Sequence, residues 1–190
     1  MKARLLATVL VAAVSATTAG AATFVVDALG NSSSGGTALS TLNVSAGSTI
    51  SVSVAATDLW SAGSLPRWSN ADGLVATTFA TGSDESGQAA GTQIGANFGT
   101  WTQDGFAAPY GALVGKLGSS YYLIGTNFSL SAPVTGTLKL YYWDSNNGDN
   151  SGSVLATVTA VPEPANWVML IAGFGLVGVS SRRRRISVTA

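Results

Sequence analysis

Hydrophobic and polar residues alternate with a period of two in several short stretches of the middle of the chain. The stretches 49–54 and 136–143 alternate most cleanly, with Ile50, Val52 and Val54 on one face of the first. This period is typical of β-strands that bury one face. Further strands are predicted at 24–29, 74–79, 112–117, 121–125 and 153–159.

Clusters of glycine, asparagine and serine separate these stretches, and no long stretch follows the helical period. Short strands punctuated by turns predict an all-β fold, an antiparallel β-sandwich of the jelly-roll, galactose-binding-like type. The pattern leaves a closed barrel as an alternative. No repeat recurs at a fixed period, which argues against a propeller or a β-helix. We assign this domain to residues 23–160.

The N-terminal segment has the pattern of a secretory signal peptide. Lys2 and Arg4 precede an apolar run at 5–14, and small residues follow up to residue 22. This order predicts a leader over 1–22 and export by the Sec route. A first transmembrane helix is the weaker alternative, because the run is short and ends in small residues.

The C-terminal segment 161–185 has three parts. Two prolines restrict the backbone to an extended approach, an uncharged run at 165–181 suits a transmembrane helix, and four arginines stay on the cytoplasmic side. At ~1.5 Å per residue the run spans roughly 25 Å, slightly less than a bilayer core of about 30 Å. Residues 186–190 then form a cytoplasmic tail.

Three glycines interrupt this apolar run, at Gly173, Gly175 and Gly178. A permanent anchor gains more from leucine at such positions, whereas small residues let a partner helix approach closely. On these residues alone, recognition by a membrane enzyme and an ordinary single-span anchor remain equal alternatives.

The same segment resembles the PEP-CTERM sorting signal in its PEPxxWA subclass. The resemblance rests on the run M-L-I-A-G-F-G-L-V-G, which contains Gly173 and Gly175, and on Pro162, Glu163, Pro164, Trp167, Arg182, Arg183, Arg184 and Arg185. Val168 stands where that family more often has alanine. The resemblance implies processing by an exosortase, an inner-membrane intermediate, and delivery to the cell surface or an exopolysaccharide matrix.

The overall charge of zero hides an uneven distribution. Six of the nine basic residues lie in the terminal segments, so the middle domain holds three basic and eight acidic residues. A domain that is net negative by about five charges disfavours nucleic acids and anionic membranes and suits cations or neutral ligands. We therefore predict no nucleic-acid partner.

Cysteine and histidine are both absent. The chain consequently has no disulfide framework and no thiolate nucleophile. The usual general base near neutral pH and nearly all zinc chemistry are missing as well. An enzyme built on this sequence would depend on carboxylates.

The loop between the predicted strands at 136–143 and 153–159 concentrates oxygen-bearing side chains. Its members are Asp144, Asn146, Asn147, Asp149 and Asn150. Hard cations such as Ca²⁺ bind six to eight oxygens, at about 2.3–2.6 Å. The spacing is not that of an EF-hand, and the same residue types are common in ordinary β-turns. The loop alone favours a plain turn.

The second half of the domain resembles the LecA-type calcium-dependent galactophilic lectin family. The resemblance rests on G-A-L-V-G-K-L-G from residue 111, on Asp144, and on D-N-S-G-S from residue 149. It implies calcium ligands at Asp144, Asn146, Asp149, Asn150 and the carbonyl of Ala62. Asp149 stands where the family has asparagine, and the loop is two residues shorter here.

The lectin resemblance also implies that the ion binds two sugar hydroxyls directly. Side chains around the ion then provide selectivity, for which we predict Trp68, Asp72 and Trp143. A flat indole stacks on the apolar face of a sugar ring, although a tryptophan in a sandwich is more often part of the core. Because the sugar-contacting histidine of the family is absent, galactose specificity does not follow.

Three functions compete on this basis. The first is a noncatalytic calcium-dependent carbohydrate-binding module that acts on surface or matrix polysaccharide. The second is a structural matrix or adhesion protein without a sugar site. A glycosidase using Asp84 and Glu85 is disfavoured, because neighbouring residues in a loop do not flank a substrate as a paired acid and base do. We predict that the protein is not an enzyme.

Overall fold

The computed structural model describes residues 20–162 and 173–178. The described part contains 14 β-strands in one unit that ends at Pro162. Residues 173–178 are helical and belong to a second unit. The strands are β1 (Gly20–Asp27), β2 (Leu39–Val44), β3 (Thr49–Val54), β4 (Trp60–Ser61), β5 (Trp68–Ser69), β6 (Thr78–Phe79), β7 (Gln93–Gly95), β8 (Thr100–Gln103), β9 (Phe106–Pro109), β10 (Ala112–Leu117), β11 (Ser120–Leu123), β12 (Asn127–Ser131), β13 (Gly136–Trp143) and β14 (Ser151–Val161).

Two antiparallel sheets make up most of this unit. A six-stranded sheet has the order β12-β3-β14-β4-β5, and β1 pairs with β14 as well. A four-stranded sheet has the order β11-β10-β13-β2. The strands β6 and β7, and likewise β8 and β9, form separate two-stranded pairs. The predicted all-β antiparallel fold is confirmed.

The main core lies where the apolar faces of the two sheets meet. In β3 the alternation is complete, since Ile50, Val52 and Val54 are buried. The other sheet contributes Leu138 and Leu140 from β13 to the same cluster. Hydrophobic burial of these alternating positions is the main favourable term in folding, at about 25 cal/mol per Å² of apolar surface.

A second, smaller core covers the outer face of β13. Trp143 packs there with residues of β10, and the pair β8–β9 adds Trp101 and Phe106. The rings of Phe106 and Trp143 meet edge to face, with their centroids 5.5 Å apart. Both faces of β13 are therefore buried at this end of the strand.

The predicted strands at 49–54, 112–117 and 136–143 coincide with β3, β10 and β13. The prediction at 74–79 was wrong apart from Thr78–Phe79. Leu74 is buried, but its backbone N–H donates to the carbonyl of Tyr110 in a loop. The apolar residues there reflect burial of a connecting segment.

The predicted terminal segments fall largely outside the described residues. Of the leader predicted at 1–22, only 20–22 are described, and they form the start of β1. Of the predicted transmembrane run at 165–181, only 173–178 are described. Among the described residues, no helix combines the length and apolar character that crossing a membrane requires.

Candidate functional site

A cavity of about 260 Å³ opens between the loop after β13 and the loop between β4 and β5. Three predicted side-chain ligands, Asp144, Asn146 and Asp149, line it together with Ala62. The two loops are brought together because the start of β14 pairs with β4, with Ser151 opposite Ser61. Residues separated by more than 80 positions in the chain thus share one small cavity.

Hydrogen bonds to Ser33 fix the backbone of Asp144, and its carboxylate is buried. Its N–H donates to Ser33 Oγ at 3.1 Å, and that hydroxyl donates to the Asp144 carbonyl at 2.9 Å. The residue is 5% exposed. Burial raises the pKa of the Asp144 carboxyl above its ordinary value, and the negative charge of Asp149 acts in the same direction. No lysine or arginine among the residues described here forms an ion pair with it.

Asn150 has a buried amide oxygen without a hydrogen-bond partner, while its side chain hydrogen-bonds to the Asp144 carboxyl. The residue is 7% exposed, and its Nδ2 donates to the carbonyl of Ala28 at 3.2 Å. Its Oδ1 is buried without a hydrogen-bond partner. The Asn150 side chain lies close enough to Asp144 to lower the pKa of that carboxyl. An unsatisfied buried acceptor is costly unless a cation or a water molecule binds it.

The Asp149 carboxylate faces the Ala62 loop across the cavity. Its Oδ2 lies 3.5 Å from Arg67 Nη1, and the same nitrogen lies 3.5 Å from the carbonyl oxygen of Ala62. Asn146 Nδ2 donates to Asp149 Oδ1 at 3.4 Å, while Asn146 Oδ1 accepts from Gly148 N–H at 3.1 Å. Asn146 thus directs its amide nitrogen, not its oxygen, at the carboxylate.

The cluster is an oxygen-rich site with two carboxylates. Nowhere in residues 20–162 and 173–178 do three or more His, Cys, Asp or Glu side chains meet in metal-binding proximity. A cation in this cavity would rely on Asp144, Asp149 and the Ala62 carbonyl, because the predicted ligand Asn150 is not among the lining residues. These are hard oxygen donors of the kind that Ca²⁺ prefers.

The predicted sugar-contacting side chains do not line this cavity. Trp143 is 0% exposed, and its Nε1 donates to the carbonyl of Trp101 at 2.8 Å. It therefore cannot stack on a sugar, because the β8–β9 pair covers it. Trp68 and Asp72 line a different cavity of about 210 Å³. The Asp72 carboxylate there accepts hydrogen bonds from the N–H and hydroxyl of Thr126.

Arg67, Phe98 and Tyr110 also line the cavity that Asp144 lines. Phe98 is 45% exposed, and its ring meets Tyr110 edge to face with centroids 5.3 Å apart. The Arg67 guanidinium carbon lies 4.5 Å from the centre of the Phe98 ring. No local pattern marks Arg67 or Phe98, since they come from segments far from the 144–150 loop.

A larger cavity lies elsewhere and contains the pair considered for glycosidase chemistry. It has a volume of about 590 Å³, and Phe79, Asp84 and Glu85 are among its lining residues. Hydrogen bonds from Ser86 and Thr81 lower the pKa of Asp84 to about 2. A general acid needs a raised pKa, so Asp84 is suited to holding its own loop and not to protonating a leaving group.

The sorting-signal residues lie mostly outside the described part of the chain. Pro162 is the last residue before the gap, and Gly173 and Gly175 lie in the helical segment 173–178. The predicted residues Glu163, Pro164, Trp167, Arg182, Arg183, Arg184 and Arg185 are not among those described.

Comparisons with known proteins bear on both parts of the chain. Residues 160–185 match the family described as the PEP-CTERM protein-sorting motif, which confirms the sorting signal and implies export and membrane-anchored processing. No curated protein matches the chain. A solved structure, the EclA N-terminal domain, described as a PllA-like lectin, aligns with a TM-score of 0.43 and 21% identity. The alignment covers 73% of this chain and 94% of that one.

Proposed function

We propose that the domain is a noncatalytic, calcium-dependent carbohydrate-binding module delivered to the cell surface by its sorting signal. The observation that carries the proposal is the buried Asp144 carboxylate, which lines the cavity and has no cationic side-chain partner in the described structure. A carboxylate buried without a counter-ion is unfavourable by itself. It becomes favourable as a ligand of a hard cation.

The residues of the cavity fit Ca²⁺ in charge and in donor type. Asp144 and Asp149 supply negative charge, while the Ala62 carbonyl supplies a neutral oxygen. When bound, Ca²⁺ supplies coordination positions that vicinal sugar hydroxyls can occupy. The protein's own part is to hold these oxygens on two loops that β4 and β14 join.

Phe98 and Tyr110 provide an apolar wall beside the cluster. Their rings line the same cavity as the carboxylates, and the Phe98 ring is partly exposed. A sugar ring has one polar edge and one apolar face. One bound sugar could therefore place its hydroxyls at the cluster and pack its apolar face against an aromatic ring. This wall takes the role that the sequence had suggested for Trp143.

The sorting signal sets the cellular context of the proposal. An exosortase acts on proteins with this tag, so we expect Sec export, an inner-membrane intermediate and then release to the surface or the extracellular matrix. A net-negative domain suits neutral polysaccharide in that setting and does not suit nucleic acid.

The test is glycan-array binding by the full-length chain purified in detergent, with Ca²⁺ or with chelator. Binding that appears with Ca²⁺ and disappears on chelation supports the proposal. A matched pair of variants, Asp144→Asn in the cluster and Glu85→Gln in the larger cavity, makes the same charge change at two places. Glycan binding that survives chelation, or that both variants reduce equally, contradicts it.

A second function, a structural matrix or adhesion protein, is favoured by one observation. Two of the three side chains predicted to contact sugar have structural roles, Trp143 in the core and Asp72 bonded to Thr126. On this alternative the ion stabilises the loops and no sugar binds. Melting temperatures separate the two, because only ligands of the native state raise them. On the structural alternative, Ca²⁺ should raise the melting temperature, and adding sugars should cause no further rise.

A further inference from the structure

Arg67 places a positive charge where the proposed cation site opens. Its Nη1 lies 3.5 Å from Asp149 Oδ2 and 3.5 Å from the Ala62 carbonyl oxygen, two of the atoms assigned above as cation ligands. Arg67–Asp149 is the ion pair found in the part of the chain that the structure describes. The guanidinium thus interacts with one charged and one neutral donor of the site.

We infer that Arg67 is a built-in competing cation, which neutralises the cluster when Ca²⁺ is absent and must move away when Ca²⁺ binds. The inference rests on the proposed function, since it concerns the regulation of the same site. A divalent ion bound to Asp149 and the Ala62 carbonyl would repel a guanidinium held at those same oxygens. Occupancy by the two cations is therefore mutually exclusive at this edge of the cavity.

The ion pair is suited to displacement. Both distances are long for a charge-assisted hydrogen bond, which is typically about 2.7–2.9 Å. The Arg67 and Asp149 side chains are 37% and 47% exposed, so solvent screens their attraction. Little free energy is lost when such a pair separates.

Phe98 contacts the guanidinium in the same arrangement. The Arg67 guanidinium carbon lies 4.5 Å from the centre of the Phe98 ring, within the range of a cation–π interaction. Part of the attraction that holds Arg67 is therefore independent of Asp149, and this contact can persist when the nitrogen leaves the carboxylate.

The consequence is a weaker site that fills at a higher Ca²⁺ concentration. A ligand that binds only one of two arrangements has an apparent affinity lowered by the fraction in that arrangement. Without Arg67 the donors would always be free, and the cation-free protein would lose the neutralising charge. Arg67 thus lowers the affinity for Ca²⁺ and raises the stability of the cation-free protein.

The experiment compares Ca²⁺ binding by isothermal titration calorimetry in the full-length chain, Arg67→Met and Lys139→Met. Lys139 is exposed and lies outside the cavity, so its variant makes the same charge change at a distance. We expect Arg67→Met to lower the Kd by up to about fivefold, the range of a weak competing ion pair. Lys139→Met should change the Kd for Ca²⁺ by less than about twofold.

Thermal melting provides a second readout that a purely structural role would not reproduce. In chelator, Arg67→Met should melt below the unmodified chain, and the difference should shrink or reverse in saturating Ca²⁺. Arg67→Gln, which keeps a polar side chain of similar length, provides the same comparison if the methionine variant does not fold.

The outcomes separate the two proposals. An equal or higher Kd in the Arg67 variants, with Ca²⁺ still bound, overturns the competing-cation inference and leaves the calcium site intact. A Lys139→Met effect as large as that of Arg67→Met also overturns it, because general electrostatics would then be sufficient. If no protein binds Ca²⁺, both proposals are wrong.

Discussion

Gly63 and Asp149 approach so closely that no side chain fits between them. A Cβ built on Gly63 would lie 2.3 Å from Asp149 Oδ2. Gly63 also has a φ of +119°, a conformation that other residues rarely adopt. The absence of a side chain at Gly63 therefore allows the Asp149 carboxylate to lie over the loop that presents the Ala62 carbonyl.

The first prediction follows from this contact. Gly63→Ala should displace the Asp149 carboxylate and weaken Ca²⁺ binding on the order of tenfold, a loss of about 1.4 kcal/mol. Gly91→Ala is the matched control, since Gly91 has a φ of +83° and nothing within 4 Å of the built Cβ. Both variants should lose about 1–2 kcal/mol of stability from backbone strain. Equal Ca²⁺ affinities in calorimetry would show that Asp149 is not a ligand.

The second prediction concerns the buried carboxylate. Asp144→Asn should abolish the rise in melting temperature that the proposal expects Ca²⁺ to cause. In chelator the same variant should be as stable as the unmodified chain or more stable by up to about 1 kcal/mol, because burial and Asp149 disfavour the charge at this position. Melting curves in Ca²⁺ and in chelator measure both effects. A variant that is strongly destabilised in chelator would assign Asp144 a purely structural role.

The third prediction tests the core position of Trp143. Trp143→Phe removes the hydrogen bond from its Nε1 to the Trp101 carbonyl and leaves a small cavity. The free energy of unfolding should fall by about 1–3 kcal/mol. Trp101→Phe should cost less, because the Trp101 Nε1 is buried without a partner. Denaturant unfolding measures both, and reduced glycan binding by folded Trp143→Phe would instead support a direct sugar contact.

The fourth prediction is a pH dependence at Asp84. Hydrogen bonds from Ser86 and Thr81 lower its pKa from 3.8 to about 2 in the folded chain. A depressed folded pKa means that the stabilisation is present above about pH 4 and is lost as the pH falls towards 2. The stability difference between the unmodified chain and Asp84→Ala should therefore shrink over this interval. Denaturant unfolding at several pH values measures it, and a constant difference would argue against the hydrogen-bonded carboxylate.

Part of the fold could be predicted from local patterns, because in strands such as β3 the burial follows the alternation of the sequence. The strands at 49–54 and 136–143 are examples, and their apolar faces do form the core. The stretch at 74–79 failed because apolar residues are also required where a loop crosses the core. Leu74 is such a residue, bonded through its backbone to Tyr110.

The candidate site likewise has one part that the sequence predicted and one part that it did not. Its oxygen-rich half lies in one continuous loop, where the lectin resemblance pointed to Asp144 and Asp149, which do share a cavity. The other half could not be found locally. Arg67 and Phe98 reach the cavity from loops, and nothing in their own neighbourhoods marks them.

By itself the sequence determined the all-β class, the oxygen-rich loop and the C-terminal sorting signal, because neighbours in the chain encode all three. Tertiary structure alone decided that Arg67 faces Asp149, that Trp68 faces another cavity, and that Trp143 is buried. These outcomes depend on which strands pair and which hairpin covers a sheet face. Such pairings depend on packing between residues that are far apart in the sequence, and no short stretch of sequence contains this information.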